Sequence, residues 1–155
     1  MSAGAASSAP CELCDSEGGL PVARAERWRV IRAVEPGFPA FYRVVWNAHR
    51  AEFSELGAAE RAECTEAVAA VEQAVRAQLV PMKMNLAALG NMVPHLHWHV
   101  IARFEWDSHF PRPIWAEALR VPPVANLDEL QAKMGDVDEA VVQALLRLGA
   151  RDARR

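Results

Sequence analysis

Pro94-His95-Leu96-His97-Trp98-His99-Val100-Ile101 alternates imidazoles with apolar side chains, and the spacing of two decides its geometry. On a strand successive side chains point to opposite faces, so His95, His97 and His99 share one face while Leu96, Trp98 and Val100 share the other. A helix would fan the three rings around its circumference. With a rise of about 3.3 Å per residue, neighbouring rings lie roughly 6–7 Å apart, and three imidazolium charges there would repel one another. At least one ring is therefore expected to be neutral near pH 7. A neutral imidazole whose other nitrogen is held by a hydrogen bond is a competent nucleophile or base. The central ring, His97, is expected to be half-exposed. Two other readings compete with catalysis: histidines decorating a solvated face, or a metal site made by the row itself. The second has no carboxylate beside it to complete a catalytic metal centre.

Outward from this strand, assigned to His95–Phe104, the chain reads as an α+β domain. Leu20–Ala25 and Trp28–Val34 are rich in β-branched and aromatic residues and form an expected hairpin, and Phe41–Trp46 (FYRVVW) is the strongest third strand. From Gly57 to Leu79 the positions Cys64, Val68, Val71, Val75 and Leu79 recur at helical spacing, giving an amphipathic helix of about five to six turns that Pro81 stops. Met82–Ala87 is a fourth strand. Three strands, one long helix and two strands argue for an antiparallel sheet of about five strands rather than repeated βαβ units. Residues 1–10 read as a disordered leader, 11–123 as the domain, and 124–155 as a C-terminal extension, helical or partly ordered.

Composition narrows the function classes. The 155 residues are 52% hydrophobic and 24% charged, enough for one packed domain. Seventeen Lys plus Arg against twenty Asp plus Glu give a net charge of -3, so there is no basic stripe for a nucleic-acid backbone. No apolar run reaches the roughly 18 residues of a membrane span, and the cytoplasm is the default location. Three cysteines are too few for a disulfide framework. Cys11 and Cys14 form a CxxC, which invites a metal; Cys64, on the apolar helix face, is expected to be a buried small side chain.

The stretch Asn85–Trp115, and within it His95, Leu96, His97, Trp98, His99, Val100 and Ile101, resembles the active-site region of the histidine triad (HIT) family of nucleotide hydrolases and transferases, whose motif is His-φ-His-φ-His-φ-φ. The similarity extends in element order from Cys11 to about Trp115 and is closest to bacterial members carrying an N-terminal CxxC. It implies a HIT-like fold and catalysis by His97, His99 and His95. His97 would attack the α-phosphorus of a nucleoside polyphosphate, dinucleoside polyphosphate or nucleoside phosphoramidate, His99 would contact the phosphate, and His95 would orient the row. Asn85, Gly90, Asn91 and His99 would bind the substrate, although Asn85 and Asn91 also suit plain turn chemistry. A homodimer is implied by the same resemblance, with a nucleotide as partner and neither nucleic acid nor membrane.

Two positions depart from the family pattern. Phe41 stands where many members carry a fourth histidine that serves the leaving group, and Ala33 stands where others carry a ribose-binding acid, with Glu35 the nearest substitute. His109 is a possible proton source from the following loop. The related galactose-1-phosphate uridylyltransferases hold zinc between a CxxC, a histidine like His49 and the first histidine of the row. Mapped here, that implies a structural zinc on Cys11, Cys14, His49 and His95, against the alternative of two free thiols. Trp98 is expected in the core, and Trp106 and Trp115 are candidates to flank the base. The rival to an enzyme is a non-catalytic nucleotide-binding or zinc-stabilised interaction module.

Overall fold

Residues 10–155 are described by the computed structural model; the leader read over 1–10 therefore lies, apart from Pro10, outside the described residues. The chain begins with a single helical turn, α1 (Glu12–Asp15). Gly18, at φ +82, turns it into β1 (Leu20–Arg24), because the left-handed backbone there is strained for any residue with a Cβ. β1 pairs antiparallel with β2 (Trp28–Arg32), and β2 with β3 (Phe41–Trp46). The long helix α2 (Ala58–Leu79) follows, its start supported by Glu60, whose carboxylate accepts from the Gly57 N–H at 2.8 Å. β4 (Lys83–Ala87) and β5 (His97–Arg103) complete the central sheet.

The last part of the chain forms a second long helix, α3 (Val124–Leu146), and a two-residue strand, β6 (Arg151–Asp152), that pairs with β1. The antiparallel sheet thus has six strands in the order β4-β5-β3-β2-β1-β6, one more than the sequence suggests. A pair of charged residues carries no alternation from which such a strand can be read; it exists because α3 delivers it to the edge of β1.

Both long helices cover one face. α2 lies over β5 and β3, while α3 packs against α2 and over β1. Cys64, Ala67, Val68, Val71, Ala74 and Val75 on α2 meet Tyr42, Val44, Trp46, Val100 and Ala102 from the sheet. α3 adds Leu130, Met134, Val137, Val141, Val142 and Leu145 to the same core, at spacings that put them on one side of a helix. Its Asp138 accepts from the Arg32 guanidinium at 3.1 Å and from the Tyr42 hydroxyl at 2.6 Å, pinning the helix to β2 and β3. The opposite face of the sheet, bearing the odd-numbered residues of β3 and β5, has no helix of this length over it among the described residues and presents His97 and His99.

Candidate active site and metal centre

Leu13 anchors the N-terminal turn by burying its side chain against Ile31 and Val45 on the face that bears His97 and His99. Arg29, itself buried, donates to the Leu13 carbonyl at 2.7 Å and to the Ser16 carbonyl at 3.2 Å, so a turn of four residues is fastened to the sheet. These contacts bring Cys11 and Cys14 beneath His95. Cys11 Sγ lies 3.4 Å from His95 Nδ1, and Cys14 Sγ lies 3.4 Å from His49 Nδ1 and 3.5 Å from His95 Nδ1. All four potential ligand atoms lie within 4.8 Å of one another. Zinc–sulfur bonds of about 2.3 Å and zinc–nitrogen bonds of about 2.0–2.1 Å put tetrahedral ligand atoms roughly 3.3–3.8 Å apart, so the cysteine–histidine contacts match the edges of a tetrahedral S2N2 site. The group can hold a metal ion such as zinc.

His95 does not lie in the strand assigned to it. β5 starts at His97, and His95 sits in the bend before it, its main-chain N–H bonded to the Val93 carbonyl. Pro94 cannot donate to a ladder, so regular pairing waits until the chain has passed it. The consequence is a clear division of roles. The His95 ring is fully buried and its Nε2–H donates to the Trp46 carbonyl at 2.6 Å, which leaves the Nδ1 lone pair facing the two sulfurs.

His97 and His99 do share a strand face, with their rings perpendicular at a centroid separation of 4.8 Å. His97 Nδ1–H donates to the His95 carbonyl at 2.6 Å, so its Nε2 carries the free lone pair. At 8% exposure His97 is buried, not half-exposed, because the loop 89–93 and α1 close around it. Burial lowers its pKa below the usual histidine range, against the opposing hydrogen bond to His95. His99 is held between His97, Phe41 and Trp115, and burial, with His97 and Arg43 adding, takes its pKa down to about 3. Its Nδ1 is buried and has no partner among the described residues. A cavity of about 440 Å³ opens over these two rings, lined also by Arg43, Gly90, Asn91, Met92 and Trp115, a size suited to a nucleotide.

A sequence model described as the HIT domain matches residues 21–106, a span that contains the whole histidine row and most of the sheet. The chain belongs to the HIT domain family. Solved HIT structures superpose on it over most of their length. A histidine triad protein from Bradyrhizobium japonicum is 25% identical with a TM-score of 0.66, covering 81% of this chain and 92% of its own. Another from Sinorhizobium meliloti 1021 is 27% identical with a TM-score of 0.62, covering 77% and 90%. A third, from Marinobacter aquaeolei VT8, is 25% identical with a TM-score of 0.64, covering 84% and 95%. No curated protein sequence matches the chain. HIT proteins bind nucleotides, and members of the family are hydrolases or transferases. No helix among the described residues is long and apolar enough to cross a membrane.

Within this HIT domain the remaining candidates divide. Gly90, at φ +77, and the exposed Asn91 line the cavity. Asn85 does not: its Oδ1 accepts from Arg103 at 2.7 Å, and Arg103 in turn grips Asp107 at 2.8 Å. Asp107 also accepts from the N–H groups of His109 and Phe110, shaping the loop that carries Trp115 over His99. Trp106 instead stacks on Phe104 at 5.0 Å and packs on the core, and partly buried Trp98 packs there too. His109 pairs with Ser108 and lies against Phe38, outside the cavity lining. Ala33 is buried beside Phe41 and Ile101, and Glu35 is exposed. Cys64 is buried, and burial raises its thiol to about 11, so it is inert.

Arg43 lines the cavity and carries no role in the sequence reading. A signal was available: in Phe41–Trp46 it is the single charged residue, and at a spacing of two from Phe41 and Val45 it faces the histidines.

Proposed function

We propose that this HIT protein is a nucleotide hydrolase or nucleotidyl transferase that acts at the α-phosphorus of a nucleoside polyphosphate, dinucleoside polyphosphate or nucleoside phosphoramidate through a nucleotidyl-histidine intermediate on His97. The observation that carries the reading is the tautomer of His97: with Nδ1–H given to the His95 carbonyl, Nε2 presents a lone pair to a cavity of nucleotide size. In the first step the Nε2 pair forms the nitrogen–phosphorus bond as the leaving group departs with its own bonding pair. In the second, water attacks the same phosphorus, the nitrogen–phosphorus pair returns to Nε2, and the water proton passes to solvent. His99, neutral and with an open nitrogen, is suited to touching a phosphate oxygen. The Gly90–Asn91 turn supplies donors beside it.

Zinc is the proposed metal for Cys11, Cys14, His49 and His95, because two thiolates and two imidazoles at tetrahedral spacing favour it. When bound it would supply structural cross-linking, fixing His95, whose main-chain carbonyl orients His97. A two-fold homodimer belongs to the same reading, and sedimentation at micromolar concentration tests it.

The rival reading, a nucleotide-binding module without turnover, has one observation in its favour: Phe41, fully buried, brings no proton donor to the site. Covalent trapping separates the two. Incubation with labelled substrate and acid-free quenching is expected to give an acid-labile nucleotidyl adduct on His97. His97→Ala is expected to bind nucleotide, form no adduct and hydrolyse neither adenosine phosphoramidate nor dinucleoside polyphosphate above background. Near-normal hydrolysis by a folded His97→Ala protein would remove His97 as nucleophile.

A further inference from the structure

Arg43 differs from the other buried or half-buried arginines of the chain. Arg29 spends its donors on main-chain carbonyls of the N-terminal turn, Arg32 on Asp138, and Arg103 on Asp107 and Asn85. Arg43 makes one long contact, 3.5 Å from a terminal nitrogen to the Gly18 carbonyl, and its Nε is buried with no partner among the described residues. Its guanidinium lies over the Phe41 ring at 5.1 Å, and Glu35 and Glu12 reach it only through space. A desolvated cation with open donors is costly unless an anion meets it. The geometry therefore has a place for one, in the cavity that also holds His97 and His99.

The register locates that place. Arg43 is opposite His99, and Val45 is opposite His97. The guanidinium thus starts one two-residue step, roughly 6.6 Å, along the sheet from the nucleophile. A displacement of this kind suits the phosphate adjoining the one under attack.

We infer that Arg43 seats the phosphate next to the α-phosphate and that the site is built for phosphoanhydrides of nucleotides rather than for phosphoramidates, an inference that rests on the function proposed above. When the anhydride breaks, the bridging oxygen keeps the phosphorus–oxygen electron pair and leaves as a phosphate anion. That anion needs a cation and no proton, and Arg43 supplies the cation. An amine leaving group needs a proton instead. Neither Phe41 nor a guanidinium gives one up near neutral pH.

The test compares the parent protein with Arg43→Ala and Arg43→Lys, all three checked for folding by thermal unfolding. Calorimetry with AMP and with α,β-methylene-ADP, which cannot be cleaved between its phosphates, reads the seat without turnover. The parent is expected to prefer the methylene analogue by at least about tenfold, as charge-assisted hydrogen bonds to one further phosphate provide. Arg43→Ala is expected to lose that preference, and Arg43→Lys to keep part of it. In turnover, Arg43→Ala is expected to lower kcat/KM for a dinucleoside polyphosphate by on the order of a hundredfold, with a much smaller loss for adenosine phosphoramidate. Equal losses for both ligands or both substrates, no loss in either, or a parent that prefers the phosphoramidate would overturn the inference while an adduct on His97 left the hydrolase reading standing. Loss of the analogue preference in a protein that forms no adduct would sink the hydrolase reading and support the phosphate seat. Failure of the parent to bind either nucleotide would overturn both.

Discussion

Burial changes the chemistry of His99. Facing it are the His97 ring, the Phe41 and Trp115 rings and the Arg43 guanidinium, and burial keeps it neutral down to about pH 3. In the unfolded chain the same ring takes a proton near the ordinary histidine value of about 6.5. Between those values the unfolded state binds more protons than the native one, so stability falls as the pH is lowered from about 6.5 toward 3. His95 and His97 shift in the same direction. Replacing His99 by Gln should therefore flatten, without abolishing, the decline in Tm across that window, as read by thermal unfolding at a series of pH values. An unchanged slope would mean that His99 is protonated in the native protein.

At the scale of elements, the N-terminal turn depends on the contacts that fasten it to the sheet. Four helical residues are far too few to hold themselves, and Leu13, Arg29 and the Cys–His cluster hold them instead. The single four-residue cluster among the described residues predicts about one zinc per chain in the untagged protein, and metal binding energy is folding energy. Elemental analysis of a Cys11→Ser/Cys14→Ser variant should show it gone, with Tm lower by on the order of 5 °C, about 1–2 kcal/mol in a domain of this length. The unmodified protein should also release its metal in acid, as the ligand sulfurs take up protons. An unmodified chain free of zinc would refute the assignment.

For the whole molecule, the helical face holds the core and the opposite face presents His97 and His99 to the cavity. α3 closes the core from the far end of the chain, and Asp138 ties it to Arg32 and Tyr42. Asp138→Ala leaves a half-buried guanidinium and a buried hydroxyl without their partner, and urea unfolding should show a loss of about 2–4 kcal/mol. Met134→Ala should cost about 2–5 kcal/mol through the cavity it opens. Both variants, at temperatures where they remain folded, should keep the parent's nucleotide affinity, since neither side chain reaches the other face. Losses under 1 kcal/mol would mean that 124–155 is an appendage rather than part of the domain.

Period-two alternation was enough to put His97 and His99 on one face and Trp98 and Val100 on the other, and helical spacing was enough for α2, because both patterns are local consequences of backbone geometry. The CxxC, His49 and His95 were visible as residues with metal-binding chemistry, and they do come together. Other features depend on contacts between distant segments. α3 carries a one-sided stripe at Leu130, Met134, Val137, Val141 and Leu145, so its helical form was legible, but its place in the core, with Asp138 inside that stripe, depends on the surface that α2 and β1 offer it. β6 exists only as the partner of β1. Asn85 has the chemistry of a phosphate donor, yet its side chain is held by Arg103 of the neighbouring strand outside the cavity lining, and Trp115 reaches His99 only because Asp107 shapes the intervening loop. Residue types and their spacing determined which chemistry this chain carries. Tertiary packing decided which of those groups are spent on the fold and which, like Arg43 and the Nε2 of His97, remain open toward the cavity, because a hydrogen-bonding group is free only when no neighbour brought by the fold has already claimed it.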